Sequence, residues 1–257
     1  MRPVIAVVAA AATWALAMAG AAHAQHAGGH GVGRASEAAP YGSPVDDKHV
    51  WAHLILDKLE GRIGADDTDF HWDAEAWAGP DEWRVWLKSE GEVVEGGDVE
   101  GGMVEAFVSK PMITFWDAQA GIRYDADSGP GRTWAALGVE GLAPGFFHVN
   151  ATAYAGTKGR TAAKLKASYE QLLTPTLFLE PEIELNLYGK DDVARGIGSG
   201  LSDLNASLRL RYEITRKFSP YVGLSYERKF GDTADMARAA GEDRDDLRAT
   251  IGVRIWN

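Results

Sequence analysis

Apolar and polar residues alternate along much of the chain from about residue 49 onward. The clearest run extends from Thr176 to Tyr188, where leucine and isoleucine fall on one face and glutamate and asparagine on the other. A strand separates such residues by its period of two, whereas a helix would scatter them around its circumference. The pattern predicts β-strands that are apolar on one face and charged on the other.

Twelve segments share this alternation, with turn or loop residues between them. We place them at roughly 49–61, 69–79, 82–92, 101–110, 112–125, 132–142, 146–156, 160–172, 175–188, 201–215, 218–230 and 246–257. Twelve is an even number, as expected when both ends of a closed antiparallel barrel lie on the same side.

The connections between these segments alternate strictly between short and generally longer ones. The short ones lie around Pro80, Pro111, Pro144, Pro175 and Lys217, and the longer ones include 91–102, 125–132, 189–200 and 231–246. Outer-membrane barrels have short periplasmic turns and longer outer loops. The fold class predicted is therefore all-β: a transmembrane antiparallel β-barrel of about 12 strands over residues 49–257.

The first 48 residues predict a signal peptide followed by a tail. Arg2 supplies a positive start, the run from Val4 to Met18 is apolar, and Ala24 ends a small-x-small cleavage site, so residues 1–24 are assigned to the signal peptide. A single-span anchor fits less well because the run is short and rich in alanine. Residues 25–48 hold few large apolar side chains and predict a flexible, disordered periplasmic tail.

The charged face of the strands indicates which way the barrel wall points. A soluble barrel turns its apolar face inward, whereas a membrane barrel reverses the two faces. The quantity of charge favours the reversed arrangement, in which opposite charges pair across the lumen and the outer face contacts outer-membrane lipid. The charged set is Asp73, Glu75, Arg84, Lys88, Glu90, Glu105, Asp117, Arg123, Glu140, Lys164, Lys166, Glu182, Glu184, Arg209, Arg211, Glu227 and Arg254.

Composition excludes several classes of function. With 26 Lys+Arg and 37 Asp+Glu in the whole chain, removal of Arg2 with the signal peptide leaves a net charge of −12. Such a surface repels phosphate backbones, so nucleic acid is not an expected partner. The chain has no cysteine, which excludes thiolate metal sites, disulfides and cysteine nucleophiles.

Histidine is the residue type from which a metal site has to be argued. His26 and His30 lie in the tail, and His49 and His53 enter the first strand. Residues four apart on a regular strand are separated by about 13 Å, so His49 and His53 share one ion only if the chain there is turned or helical.

Two methionines are candidate soft partners for such a site. Neutral imidazole and thioether both suit copper, and Met103 and Met112 lie in strand segments. Ordinary packing explains either methionine equally well.

Catalytic motifs are absent from the sequence. There is no Gly-x-Ser-x-Gly turn and no His-Glu-x-x-His motif. His71 lies near Asp73 and Glu75, and His148 shares a face with Asn150. For both histidines we expect hydrogen bonding inside the barrel, and the protein is not expected to be an enzyme; a lipid-modifying barrel would depend on His148.

Several long stretches match a known family in order and with few gaps. They include WDAEAWAG (72–79), FWDAQAGIRYD (115–125), GVEGLAPGFFHV (138–149), LFLEPEIELNLYGKDD (177–192) and LRLRYEITRKFSPYVGLSYERKFGDTAD (208–235). From about His49 to Trp256 the chain resembles the copper-resistance B family of outer-membrane proteins.

The resemblance implies a barrel in the outer membrane of a Gram-negative cell that binds, sequesters or passes copper ions in copper homeostasis. Periplasmic copper-binding and multicopper oxidase proteins are the implied partners. The resemblance and the positions of the histidines together make His49 and His53 the expected copper ligands, along with His26 and His30.

One departure from the family limits that expectation. Family members often carry a long Met/His-rich segment before the barrel, whereas residues 25–48 contain two histidines and no methionine, so high-capacity copper storage in the tail is not expected. The alternative is a structural or small-solute barrel with no direct metal role.

Overall fold

The computed structural model describes residues 50–65, 67–94, 96–126 and 130–257, and it shows a single antiparallel sheet. The predicted signal peptide, the predicted tail and His49 lie outside these residues. The strands are β1 (Trp51–Ile63), β2 (Thr68–Gly79), β3 (Arg84–Val93), β4 (Val99–Ile113), β5 (Trp116–Asp125), β6 (Arg132–Ala143), β7 (Phe147–Gly156), β8 (Thr161–Ser168), β9 (Gln171–Thr174), β10 (Leu177–Tyr188), β11 (Gly200–Tyr212), β12 (Phe218–Lys229) and β13 (Asp245–Trp256).

The sheet closes into a barrel because its first and last strands pair. Leu56 of β1 lies opposite Ile255 of β13. The short β9 and the longer β8 both pair with β10, at opposite ends of that strand, so they are two parts of one wall strand. The wall therefore has twelve strands, and the predicted fold class is confirmed.

The predicted segments coincide with the observed strands, with three differences. Strand β4 continues through Pro111, so the turn predicted there lies at residues 114–115. The segment predicted at 160–172 is divided after Ser168, and the predicted loop at 231–246 contains a helix, α1 (Gly231–Ala240). Asp232 lies in the first turn of α1, and Gly241 ends it in the left-handed conformation (φ 86°), which glycine adopts without strain. In the part of the chain that is described, no helix is long and apolar enough to span a membrane.

The apolar face of the strands points outward and the charged face inward. On β11, Leu208 and Leu210 are exposed, whereas the alternating residues Arg209 and Arg211 are buried. Leu137 on β6 is 67% exposed, while Glu60 on β1 is 0% exposed. Apolar side chains all round the outside require an apolar solvent, so the wall is suited to lipid, as predicted.

The connections sort by end of the barrel. Those joining β2–β3, β4–β5, β6–β7, β9–β10 and β11–β12 lie at one end, together with the start of β1 and the end of β13; we call this the short-turn end. The other connections lie at the long-loop end. The predicted strict alternation of length is wrong at 64–67 and at 157–160, which lie at the long-loop end and are as short as 80–83. At 64–67 the reason is that Arg62 and Ile63 continue to pair with β2.

Aromatic residues fill one side of the interior. Trp86, Phe107, Trp134 and Tyr154 are buried together on neighbouring strands β3 to β7. Their polar atoms have partners: Trp86 Nε1 donates to Ser109 Oγ at 2.9 Å. This packing narrows the lumen on that side, where charged side chains such as Lys88 and Arg123 lie against the rings.

Candidate functional site in the barrel lumen

Two cavities lie in the part of the lumen that the described residues form. The long-loop cavity, at the long-loop end, has a volume of about 590 Å³, and the short-turn cavity, at the other end, has a volume of about 500 Å³. Four residues line both cavities and so mark the boundary between them: Glu90, Met103, Lys164 and Glu182.

Ion pairs occupy the boundary between the cavities. Lys58 Nζ donates to Glu182 Oε1 at 2.6 Å, and Lys164 Nζ donates to Glu90 Oε2 at 2.7 Å. Further ion pairs extend each of these two pairs into a cluster, and we call the two neighbouring clusters together the central network: Lys58, Asp73, Lys166, Glu182 and Arg209 form one, and Glu90, Lys164 and Glu184 form the other.

The central network crosses the lumen from wall to wall. Lys166 on β8 donates to Asp73 on β2 at 2.9 Å, and five wall strands separate β2 from β8 in either direction. Coulomb attraction between buried opposite charges offsets their loss of water only when geometry and additional hydrogen bonds are good, as this mesh provides. The side chains therefore meet at mid-height and separate the two cavities.

The two cavities differ in charge. The long-loop cavity is lined by nine carboxylate and eight basic side chains, which nearly balance. The short-turn cavity is lined by ten carboxylate and five basic side chains. A concave surface lined by one sign of charge concentrates counter-ions, so the short-turn cavity favours cations.

One carboxylate of the short-turn cavity has only a distant cation. Glu75 Oε2 lies 4.0 Å from Lys88 Nζ, which instead donates to Glu140 Oε2 at 2.5 Å. Glu140 Oε2 also accepts hydrogen bonds from Gln119 and Asn150. Glu75 is thus the more available of the two carboxylates for a further cation.

The helix α1 forms part of the long-loop cavity. Thr233 Oγ1 accepts a hydrogen bond from the Gly198 amide at 2.9 Å and lies 3.0 Å from Ser202 Oγ, which fixes α1 to the β10–β11 connection and to β11. Met236 and Ala237 of α1 line the cavity. Sequence periodicity missed this helix because it is short and only weakly amphipathic.

Arginines hold the β10–β11 connection over the long-loop end. Arg132 donates to both carboxylate oxygens of Asp192, at 2.9 and 3.0 Å, and Arg160 Nε lies 3.2 Å from Asp192 Oδ2. The hydrogen bond from Arg132 lowers the pKa of Asp192 below its ordinary value. Arg195 of the same connection donates to the Pro130 carbonyl at 3.1 Å. We call these contacts the Asp192 latch.

Of the four histidines expected to bind copper, only His53 lies among the described residues; His26, His30 and His49 lie outside them. His53 is opposite Trp77 on the inner face of β1, near the short-turn end, and its ring centroid lies 5.9 Å from that of Trp77. Arg84 covers Trp77 at 4.9 Å. Among the described residues, no group of three or more His, Asp or Glu side chains is arranged to hold a metal ion.

The other two histidines differ from each other. His148 lines the short-turn cavity. His71 is 6% exposed beside the long-loop cavity, and its Nε2 atom has no hydrogen-bond partner, contrary to the hydrogen bonding expected. Met103 is buried at the boundary between the cavities, whereas Met112 is exposed near the end of β4. Of the two candidate soft ligands, only Met103 is luminal.

A closed antiparallel barrel with an apolar outer face and a charged interior is the architecture of outer-membrane β-barrel proteins. Comparison with known proteins then identifies the family. The family model described as copper resistance protein B precursor (CopB) matches residues 50–257, and the chain belongs to this family. Membership gives the protein a role in copper resistance.

Two relatives agree with this assignment, and a solved structure agrees with the fold. A copper resistance protein B homolog of Pseudomonas syringae pv. tomato is 44% identical over 84% of this chain and 73% of its own length. Copper resistance protein B of Escherichia coli is 39% identical over 84% of this chain and 72% of its own length. The NanC porin shares the fold at 13% identity, with a TM-score of 0.52 over 79% of this chain and 98% of that one.

Proposed function

We propose that this barrel binds copper ions on its luminal carboxylates and passes them between its two cavities, without catalysis, in the outer membrane of a Gram-negative cell. The observation that carries the proposal is the charge of the short-turn cavity, ten carboxylates against five basic side chains. Such a cavity attracts cations, and carboxylate oxygens are among the ligands that copper accepts.

The central network sets how an ion passes. Every lysine in it contacts carboxylates, as Lys58 contacts both Asp73 and Glu182. An arriving cation takes the place of a lysine ammonium beside one carboxylate while that lysine stays on its other partner. Small cations therefore cross by replacing lysine ammonium groups in turn, whereas a neutral solute is blocked by the paired side chains.

The short-turn end is the proposed periplasmic end, because bacterial barrels have their short turns there. It carries the start of β1 and the end of β13. Periplasmic copper-binding and multicopper oxidase proteins would exchange copper with the barrel at this end. His53 faces inward there, and we propose His49, His53, His26 and His30 as copper ligands along this approach.

Copper uptake and solute permeation, measured side by side in liposomes, test the proposal. We expect wild-type proteoliposomes to take up copper faster than empty vesicles and to exclude a small neutral sugar. Glu75→Gln should slow uptake, because it removes a carboxylate from the short-turn cavity. The substitution breaks no short ion pair, since the nearest ammonium is 4.0 Å away. Glu82→Gln, in the exposed β2–β3 connection, is the matched control.

Two results would overturn the proposal. Copper uptake equal to that of empty vesicles would remove the transfer role. Rapid entry of the neutral sugar, with copper uptake indifferent to Glu75→Gln, would instead favour the alternative of a small-solute barrel.

A further inference from the structure

Three residues of different ligand chemistry lie together on neighbouring strands. His71 is on β2, Glu90 on β3 and Met103 on β4. Glu90 and Met103 are directly opposite in the strand register, and opposed side chains on one face of a sheet are in contact distance. His71 Nε2 lies 3.9 Å from Glu90 Oε1.

The imidazole of His71 lacks the partner that its burial calls for. Its Nε2 atom is buried and has no hydrogen-bond partner in the structure. Leaving a buried polar atom unpaired is unfavourable, because the atom has lost water without gaining a partner. His71 lines the long-loop cavity, and imidazole nitrogen is a common metal ligand, so the unpaired nitrogen is available to an ion that enters the lumen.

Two carboxylates lie near His71, and their hydrogen bonds show which of them can bind an ion together with His71 Nε2. Glu92 Oε2 accepts from Arg62 at 2.8 Å and Glu92 Oε1 accepts from Arg248 at 2.8 Å, so both of its oxygens are used. Glu90 bonds Lys164 through Oε2 and turns Oε1 toward His71. Glu90 thus offers one oxygen without giving up its ion pair.

We propose that His71 Nε2, Glu90 Oε1 and the Met103 thioether form a copper site at the boundary between the two cavities. Imidazole and thioether suit the softer Cu(I) ion. Lys164 beside Glu90 also favours a single positive charge over a double one, because like charges repel in a poorly hydrated interior.

The position of the site fits transfer between the cavities. Glu90 and Met103 line both cavities, while His71 lines the long-loop cavity. An ion crossing the central network therefore passes these three side chains. The inference rests on the proposed function, since copper has to reach the boundary, but it assigns the ligands and the oxidation state.

The test is Cu(I) binding by the purified, detergent-solubilised chain, kept reduced with ascorbate and in competition with a Cu(I) chelator. Met103→Leu keeps the side-chain volume and removes the sulfur, and His71→Asn removes the imidazole. We expect each to weaken Cu(I) binding about tenfold or more, the scale on which even indirect changes at metal sites act. Met112→Leu, on an exposed methionine, is the matched control and should bind like wild type.

Copper X-ray absorption supplies a readout that a packing role for Met103 would not produce. We expect a copper–sulfur distance in wild type and in Met112→Leu, and its loss in Met103→Leu. Binding by Met103→Leu and His71→Asn at the level of Met112→Leu, or a wild-type spectrum without sulfur, would overturn the site.

The liposome assay separates this failure from that of the proposed function. If wild-type vesicles take up copper while the two variants bind Cu(I) normally, the transfer function is retained and the proposed Cu(I) site is rejected. If the wild-type protein neither binds nor takes up copper, the transfer function and the Cu(I) site are both rejected. A β-sheet circular dichroism spectrum identical to wild type shows that each variant is folded.

Discussion

Lys166 Nζ lies 2.9 Å from Asp73 Oδ2, although these residues belong to strands on opposite sides of the barrel. Lys166 also lies 3.6 Å from Glu182, and Asp73 lies 3.5 Å from Lys58. The pair is therefore both a brace across the lumen and one link of the central network, so its removal should affect stability and not only passage of ions.

We expect Asp73→Asn and Lys166→Gln each to lower the free energy of unfolding by about 2 kcal/mol, between the values typical of exposed and fully buried pairs. The double variant should lose less than the sum, because neither charge is then left alone. Urea unfolding in lipid vesicles, arranged as a double-mutant cycle, measures the coupling. Strictly additive losses would show that the two residues do not interact.

The outward apolar face predicts a cost that depends on depth in the membrane. Leu224 is exposed near the middle of β12, and Leu247 is exposed near the start of β13. In lipid, Leu224→Arg should destabilise the barrel by about 2–4 kcal/mol, and Leu247→Arg, which lies nearer the long-loop end, should cost less. Unfolding titrations in vesicles compare the two. Equal and small losses would contradict a lipid-facing wall.

The Asp192 latch predicts acid-dependent mobility of the β10–β11 connection. The pKa of Asp192 is lowered in the folded protein by the Arg132 hydrogen bond, so the latch contributes its full stability above the ordinary pKa. That stability is lost as pH falls through the lowered pKa. A spin label at the exposed Val193 should remain immobile at pH 7 and at pH 5, and become mobile only below about pH 4.

Asp192→Asn should free the same label at pH 7, since the charge that gathers Arg132 and Arg160 is gone. Asp235→Asn, on an exposed ion pair of α1, is the control and should leave the label immobile. A label that is equally immobile in Asp192→Asn would show that other contacts hold the connection.

The histidines expected from the sequence give a cellular prediction. His49→Ala combined with His53→Ala should lower copper tolerance when the variant complements a deletion strain, because two imidazole ligands are lost from the approach to the short-turn end. His148→Ala removes a histidine that lines the short-turn cavity and serves as the control. Unchanged tolerance in the double variant would exclude His49 and His53 as ligands.

Sequence alternation located the strands because each β-strand exposes its two faces with a period of two, whatever its neighbours are. The inward position of Arg209 and Arg211 followed from the same rule, combined with the amount of charge that a soluble core would have had to bury. The helix α1 was missed because ten residues with a weak pattern, inside a polar connection, resemble a loop.

The sequence by itself determined the strands, the inward charged face and, through long matching stretches, the family. Only the tertiary structure decided which charges meet: Glu60 and Arg209 are 149 residues apart, yet they form an ion pair at 3.4 Å. Ion pairs between distant strands depend on the stagger and tilt of the strands in the closed wall, and these are properties of the whole barrel. His71 and Glu90 are neighbours within one hairpin, but only the tertiary structure showed that His71 Nε2 is buried without a hydrogen bond, because that depends on what fills the lumen around it.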